Sequence, residues 1–156
     1  MSMERARTHL MKFGLQDRIQ EFNESSATVE LAAQRLGVEP ARIAKTLSFL
    51  IAENAVLSVA AGDVKVDNAK YKAKFHVKAK MLSREQVEEL VGHEVGGVCP
   101  FGVKEGVKVY LDESLKRFET VFPAVGTPNS AIELSIPELE RVSGYLEWVD
   151  VCKSRE

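Results

Sequence analysis

Three short segments carry the residue types from which a reaction site could be built. Arg42-Ile43-Ala44-Lys45-Thr46-Leu47 sets a lysine at the entry to an apolar stretch. Such a lysine is either a solvated charge at a strand end or a fixed cation at the mouth of a pocket, where it would meet a phosphate or a polarised carbonyl. Val95-Gly96-Gly97-Val98-Cys99-Pro100-Phe101-Gly102 gathers three glycines and a proline into eight residues. A glycine backbone can come close to a ligand and turn its N–H groups toward an oxyanion or phosphate, and the same composition also makes a plain tight turn. Val125-Gly126-Thr127-Pro128-Asn129-Ser130-Ala131 is a second turn-rich loop, in which Asn129 and Ser130 offer neutral hydrogen-bonding groups. Cys99 is a nucleophile only if a base stands beside it. His93 is near it in sequence, and the competing reading is a buried, inert thiol.

Charge is unevenly spread. The net charge is −2, but between Lys65 and Lys80 six lysines (65, 70, 72, 74, 78 and 80) face one acid, Asp67. That window holds +5 and leaves −7 for the rest of the chain. Interleaved with Tyr71, Phe75 and His76, the lysines are either the solvated face of a helix and strand or a nucleic-acid contact with stacking surfaces. In the second reading Lys65, Lys70, Lys72 and Lys74 contact the phosphates.

The elements that must position these groups alternate along the chain. Arg5–Phe13 reads as a helix closed by Gly14, and Arg18–Phe22 as a short strand. Ser26 or Thr28 can cap a helix whose apolar face is Val29, Ala32, Ala33 and Leu36, ended by Gly37. Pro40 suits the first turn of a short helix. Thr46–Ile51 and Ala55–Ala60, flanking Glu53-Asn54, read as a hairpin at the sheet centre. Asp67 can cap a lysine-rich helix to about Phe75, and Ser83 with Gln86 forms a capping box ahead of a helix closed by Gly92. Val107–Leu111, Thr120–Val125, Ala131–Leu134 and Tyr145–Val151 read as strands. Asp112–Phe118 is a helical turn, and Ser135 with Glu138 repeats the capping box, with Pro137 in the first turn.

Interleaving of the two periods predicts an α+β fold with a mixed sheet, built as one domain over residues 1–156. The chain is 45% hydrophobic and 28% charged, as in an ordinary globular protein. No GxGxxG or GxxxxGK[ST] opens a helix, so the common nucleotide-binding signatures are absent. Two cysteines and three histidines, without CxxC or HxxxH spacing, predict neither a metal site nor a disulfide framework. The charged first residues lack the apolar run of a signal peptide, and no stretch reaches the ~18 apolar residues of a membrane span. The expected compartment is the cytoplasm, with no membrane partner.

Taken together, the segments resemble the YbaK/EbsC family, the domain also found as the editing insertion of bacterial prolyl-tRNA synthetases. The resemblance runs from about Glu4 to Val151. It is carried by Lys45-Thr46-Leu47 after a short helix, Ala61-Gly62-Asp63 after the hairpin, and the GxxxP element from Gly96 to Pro100. Gly126 onward and the closing Trp148-Val149-Asp150-Val151 complete it.

The resemblance implies a mixed, partly barrel-like β-sheet flanked by helices. It also implies trans-editing: hydrolysis of the ester joining a wrong amino acid to the terminal adenosine of a tRNA. Lys45 falls on the family's functional lysine, and Gly96–Pro100 on the wall that receives the aminoacyl group. On this reading Lys45, Gly96 and Gly97 are catalytic, with backbone N–H groups around Gly96–Phe101 as oxyanion donors. Thr46, Val98, Cys99, Pro100, Phe101, Gly126, Asn129 and Ser130 line the substrate site. No cofactor or metal is implied. The implied partner is a mischarged aminoacyl-tRNA, with an aminoacyl-tRNA synthetase as a further candidate.

Two departures bear on amino-acid specificity. Asn129 stands nearest the place where prolyl-tRNA synthetase editing domains carry a histidine, and Ala131 stands where YbaK-type cysteinyl deacylases carry an aspartate before Ile132-Glu133-Leu134. The alternative is a non-catalytic tRNA-binding or regulatory module of the same fold. A third reading is a small-molecule hydrolase using Cys99.

Overall fold

A computed structural model describes residues 2–24 and 28–155. Ser26, one of the two candidate caps, lies outside them. Thr28 caps α2 (Val29–Leu36), its hydroxyl accepting from the Leu31 N–H, and Gly37 closes that helix at φ +69°. The chain begins with α1 (Ser2–Met11), a three-residue 3₁₀ turn at Gln16–Arg18 and the two-residue β1 (Gln20–Glu21). The strand expected over Arg18–Phe22 is thus present but reduced to the two residues of β1, with Arg18 still in the preceding turn.

The long hairpin is β2 (Ile43–Ile51) and β3 (Asn54–Ala61), joined by Ala52-Glu53 with Ala52 at φ +58°. β2 starts three residues earlier than the apolar run suggested, because Ile43 and Ala44 pair in parallel with β6 (Thr120–Pro123). β6 ends at Pro123, which has no N–H to extend a ladder. After β4 (Val64–Val66) comes α3 (Asn68–Phe75), capped by Asp67. The capping box of Ser83 and Gln86 opens α4 (Arg84–Gln86), which widens into a π-type turn over Val87–Val91.

The central sheet has six strands in the order β8-β6-β2-β3-β5-β9, where β5 is Lys108–Asp112, β8 is Leu134–Ser135 and β9 is Trp148–Val149. β2–β3 and β6–β8 are antiparallel, whereas β2–β6, β3–β5 and β5–β9 are parallel, so the sheet is mixed. It curls into a partial barrel. The stretch expected as one strand over Ala131–Leu134 is split between β7 (Ser130–Ala131), which pairs with β1, and β8. The last expected strand, Tyr145–Val151, shrinks to the two residues of β9, and β10 (Cys152–Ser154) follows beyond it. The break falls where the buried Asp112 carboxylate accepts the Val151 N–H at 3.1 Å. α5 (Ile136–Ser143) is opened by the second capping box.

Side chains alternate across a strand, and β2 uses its two faces differently. Phe49 packs on Tyr71 of α3, with ring centroids 4.7 Å apart, and the stack runs on through Phe75 to Tyr110. The opposite face carries Ala44, Thr46 and Ser48, and these line a cleft of about 450 Å³.

Candidate active site

Hydrogen bonding along the outer edge of β2 shows why the cleft opens where it does. In an antiparallel ladder alternate residues bond inward to the partner strand and outward to the other edge. The outward set here is even-numbered: Ala44 pairs with β6, the Ser48 carbonyl accepts from Leu82 N at 3.1 Å, and Leu50 N donates to Lys80 O at 2.8 Å. Thr46 lies between those two neighbours and is covered by neither. Among the described residues no backbone hydrogen bond reaches its outward N–H and C=O. Its hydroxyl, shielded from solvent, also has no partner there. The floor of the cleft is thus a one-residue gap in a sheet edge, with a donor and an acceptor left over.

The two glycine loops close one side. Gly96, at φ +91°, and Val98 line the cleft, as do Pro128, Ser130 and Ala131. Gly97 does not. A β-carbon on Gly97 would lie 2.3 Å from the Thr127 nitrogen and 2.4 Å from the Gly126 carbonyl carbon. Its lack of a side chain therefore serves the contact between the two loops, not an approach to ligand. Ser130 holds the second loop from within, donating to Thr127 O at 3.1 Å and accepting from Thr127 Oγ1 at 2.9 Å and Val125 N at 3.1 Å. Asn129 is not in the cleft lining and donates to Phe22 O at 3.0 Å, and Gly126 is buried against Gly97 of the first loop.

Cys99 and Phe101 are fully buried and stand behind the loop, not in the cleft. His93 does reach Cys99, with Nε2 3.6 Å from Sγ, but that nitrogen donates to the Phe101 carbonyl at 2.7 Å and has no lone pair to offer the thiol. Burial pushes the Cys99 thiol up to about 12. A protonated thiol sealed in the core is not a nucleophile, which removes the cysteine-hydrolase reading. Pro100 lines a different hollow, beneath α1 beside Arg5 and His9.

Lys45 borders the cleft, yet its ammonium leaves it. Nζ donates to the carbonyl of Val64 on β4. Burial lowers the Lys45 pKa from the ordinary lysine value, the nearby Arg155 lowers it further, and the carboxylates of Asp63 and Glu30 oppose that. Asp63 itself is held by Arg117 in a two-pronged pair at 2.6 and 3.0 Å.

The lysine-rich segment divides. Lys70 donates to Asp150 at 3.0 Å and to the Cys152 carbonyl at 2.9 Å, and Lys74 pairs with Glu147 at 2.7 Å. Both are occupied by acids from the end of the chain, which the sequence window could not show. Lys65 lies opposite Lys153 in the β4–β10 pair, and Lys72 is exposed.

Among the described residues the lining contains no carboxylate and no imidazole, and its only charges are Lys45 and Arg84. Among the lining residues that reading the sequence missed are Ser48, Met81, Leu82, Arg84, Phe122 and the α2 face of Val29, Ala32 and Leu36. Ser48 was accessible through its two-residue spacing from Thr46. The others arrive from distant segments and carry no local signal of a cleft.

Comparison with known proteins fits this geometry. The family model for the aminoacyl-tRNA editing domain matches residues 23–142. The chain belongs to that family. The match takes in the β2 edge, both glycine loops and most of α5. YwhH of Bacillus subtilis, an uncharacterised protein, is 52% identical over the whole of both chains. EbsC of Enterococcus faecalis, named as a candidate Cys-tRNA(Pro)/Cys-tRNA(Cys) deacylase, is 30% identical over 73% of this chain and 71% of its own. A crystal structure described as that of a candidate trans-editing enzyme for prolyl-tRNA synthetase superposes with a TM-score of 0.88 at 29% identity, over 98% of each chain.

Proposed function

We propose that this member of the family is an aminoacyl-tRNA deacylase that acts in trans, hydrolysing the ester of a mischarged tRNA. The observation that carries the reading is the meeting, in one cleft whose described lining holds no acid or imidazole, of the Gly96 loop with the open β2 edge at Thr46. Water adds to the ester carbonyl carbon and releases one proton to solvent, the C=O π electrons move onto oxygen, and collapse of the tetrahedral adduct re-forms C=O and breaks the bond to the ribose oxygen, which takes a proton from solvent. The charge to be stabilised is the oxyanion, and the outward Thr46 N–H and the backbone N–H groups of the Gly96 loop are the donors for it. The outward Thr46 carbonyl suits the α-ammonium of the aminoacyl group.

Among the described residues the cleft lining offers no carboxylate or imidazole to act as a general base. An aminoacyl ester is already activated, and holding it against these donors supplies much of the rate. Lys45, once it releases the Val64 carbonyl, is long enough to anchor the terminal phosphate or ribose. Ala124, Ala131 and Val98 leave the acyl end room for a small, uncharged side chain. EbsC's name as a candidate deacylase supports the same reaction class.

The test is deacylation across a panel of mischarged tRNAs, with Lys45→Ala as control. Turnover above the buffer rate on at least one of them supports the reading. Tight tRNA binding with no turnover on any member would instead make the chain a binding module of the same fold.

A further inference from the structure

The segment between α3 and α4 forms part of the cleft's rim. Residues 80–82 run antiparallel to β2, fixed by Leu50 N to Lys80 O at 2.8 Å, Leu82 N to Ser48 O at 3.1 Å and a bridge between Phe49 and Met81. Met81, Leu82 and Arg84 line the cleft, and Met81 is 52% exposed at its mouth. Lys78 and Lys80 are exposed on the same segment. Lys78 also shares a hollow of about 450 Å³ with Lys72 of α3.

Charge pairing separates these cations from Lys70 and Lys74 of the same basic segment. The ion pairs among the described residues occupy Arg7, Arg18, Arg35, Arg42, Lys70, Lys74, Lys116, Arg117 and Arg155. None of them includes Lys72, Lys78, Lys80 or Arg84. From Lys78 to Arg84 the chain spans at most about 22 Å, so an unneutralised row of positive charge leads from α3 to the opening over Thr46. Glu85, Glu88 and Glu89 on the following helix set its limit.

We propose that Lys72, Lys78, Lys80 and Arg84 form the track that guides the phosphate backbone of the tRNA acceptor end into the cleft, with Met81 as an apolar rest for the terminal base at the rim. This rests on the deacylase reading and moves the docking footprint away from Lys70 and Lys74. Lysines on a sheet edge also serve to block edge-to-edge pairing, and the two roles differ in what salt does to them.

The experiment measures the affinity of an uncharged tRNA transcript between 50 and 200 mM salt for wild type, for Lys78→Gln/Lys80→Gln and for Lys70→Gln/Lys74→Gln. Each phosphate contact contributes about 0.7–0.9 to the log–log slope. The first pair should therefore lower the slope by roughly 1.4–1.8 and weaken binding about ten-fold or more near 100 mM salt. The second pair should leave the slope as it is. A slope preserved in Lys78→Gln/Lys80→Gln, or reduced equally in both pairs, would overturn the track. So would a wild-type protein that does not bind the transcript. If such a protein still deacylates a mischarged tRNA, only this inference fails; if it does neither, the deacylase reading fails with it.

Discussion

Gly97 and Thr127 are pressed together so closely that a β-carbon on Gly97 would fall 2.3 Å from the Thr127 nitrogen. The atoms it would meet are backbone, which cannot rotate aside as a side-chain tip could. The two loops that wall the cleft are thus one packed unit, and Gly97 is the place where they touch.

Gly97→Ala should therefore cost both stability and activity, not activity alone. Overpacking against fixed backbone costs about 1–3 kcal/mol, or roughly 3–10 °C in melting temperature for a chain of this size. Turnover should fall with it, because separating the loops moves Gly96 and Ser130 together. Thermal unfolding and deacylation of the same preparation check this. A melting temperature equal to wild type would show that the loops can part freely.

Lys45→Ala should remove most deacylation without unfolding the protein. The side chain is half-buried, and among the described residues its one side-chain hydrogen bond is to the Val64 carbonyl. By analogy with removing one transition-state donor, the loss should be on the order of 10²–10³ in rate. A folded variant with near-normal turnover on its best substrate would take Lys45 out of the mechanism.

Much of the framework was legible because local chemistry dictates it. Both capping boxes, the Thr28 and Asp67 caps and the helix-closing glycines at 37 and 92 act within a few residues of themselves. The hairpin shows in two apolar runs around a polar turn. What the sequence hid depends on long-range pairing. The early start of β2 needs β6, nearly 80 residues later. The split after Val149 needs the Asp112 carboxylate. The same holds for the site. Lys45, Thr46 and Gly96 stood out by type and place, but the open edge at Thr46 exists only because β6 stops short of it and residues 80–82 start beyond it. Lys70 and Lys74 looked available because Asp150 and Glu147 are distant in sequence.

Thiol chemistry should be irrelevant to turnover. Cys99 is fully buried and its thiol is pushed up to about 12, and Cys152 is buried with its thiol raised to about 12, first by burial and then by Asp112. Iodoacetamide on the native protein at pH 7 should leave activity intact, and Cys99→Ser should retain it. Rapid inactivation that substrate protects against would contradict both expectations.

Acid should reach the fold through Glu138. Its carboxyl is pulled down to about 2 from an ordinary 4.5, chiefly by Arg18, which lies 2.8 Å away, and then by the capping-box hydrogen bond with Ser135. The folded-state pKa is the lower one, so the stabilisation is fully present above the unfolded value and is lost as pH falls through about 2. Glu138→Gln should accordingly lower the melting temperature at pH 7, and the gap from wild type should close as pH drops from 5 toward 2. A gap that is constant over that range would assign the effect to lost packing and not to charge.

Thr46→Val tests whether the gap in the β2 edge is built for substrate. The Thr46 hydroxyl is shielded from solvent and has no partner among the described residues. A buried polar group without a hydrogen bond carries its desolvation penalty unrelieved. Valine keeps the β-branched shape and the strand preference while removing that group. In a purely structural position the exchange should stabilise the fold by about 1 kcal/mol, or roughly 2–4 °C, and leave catalysis alone. If the hydroxyl instead orients the attacking water or the ester, the same variant should be more stable and slower, with the loss in kcat and KM little changed, since the interaction would be made mainly in the transition state. Opposite signs in the two measurements are what a functional site that sacrifices stability produces. A variant that is more stable and fully active would leave Thr46's backbone as its sole contribution to the cleft.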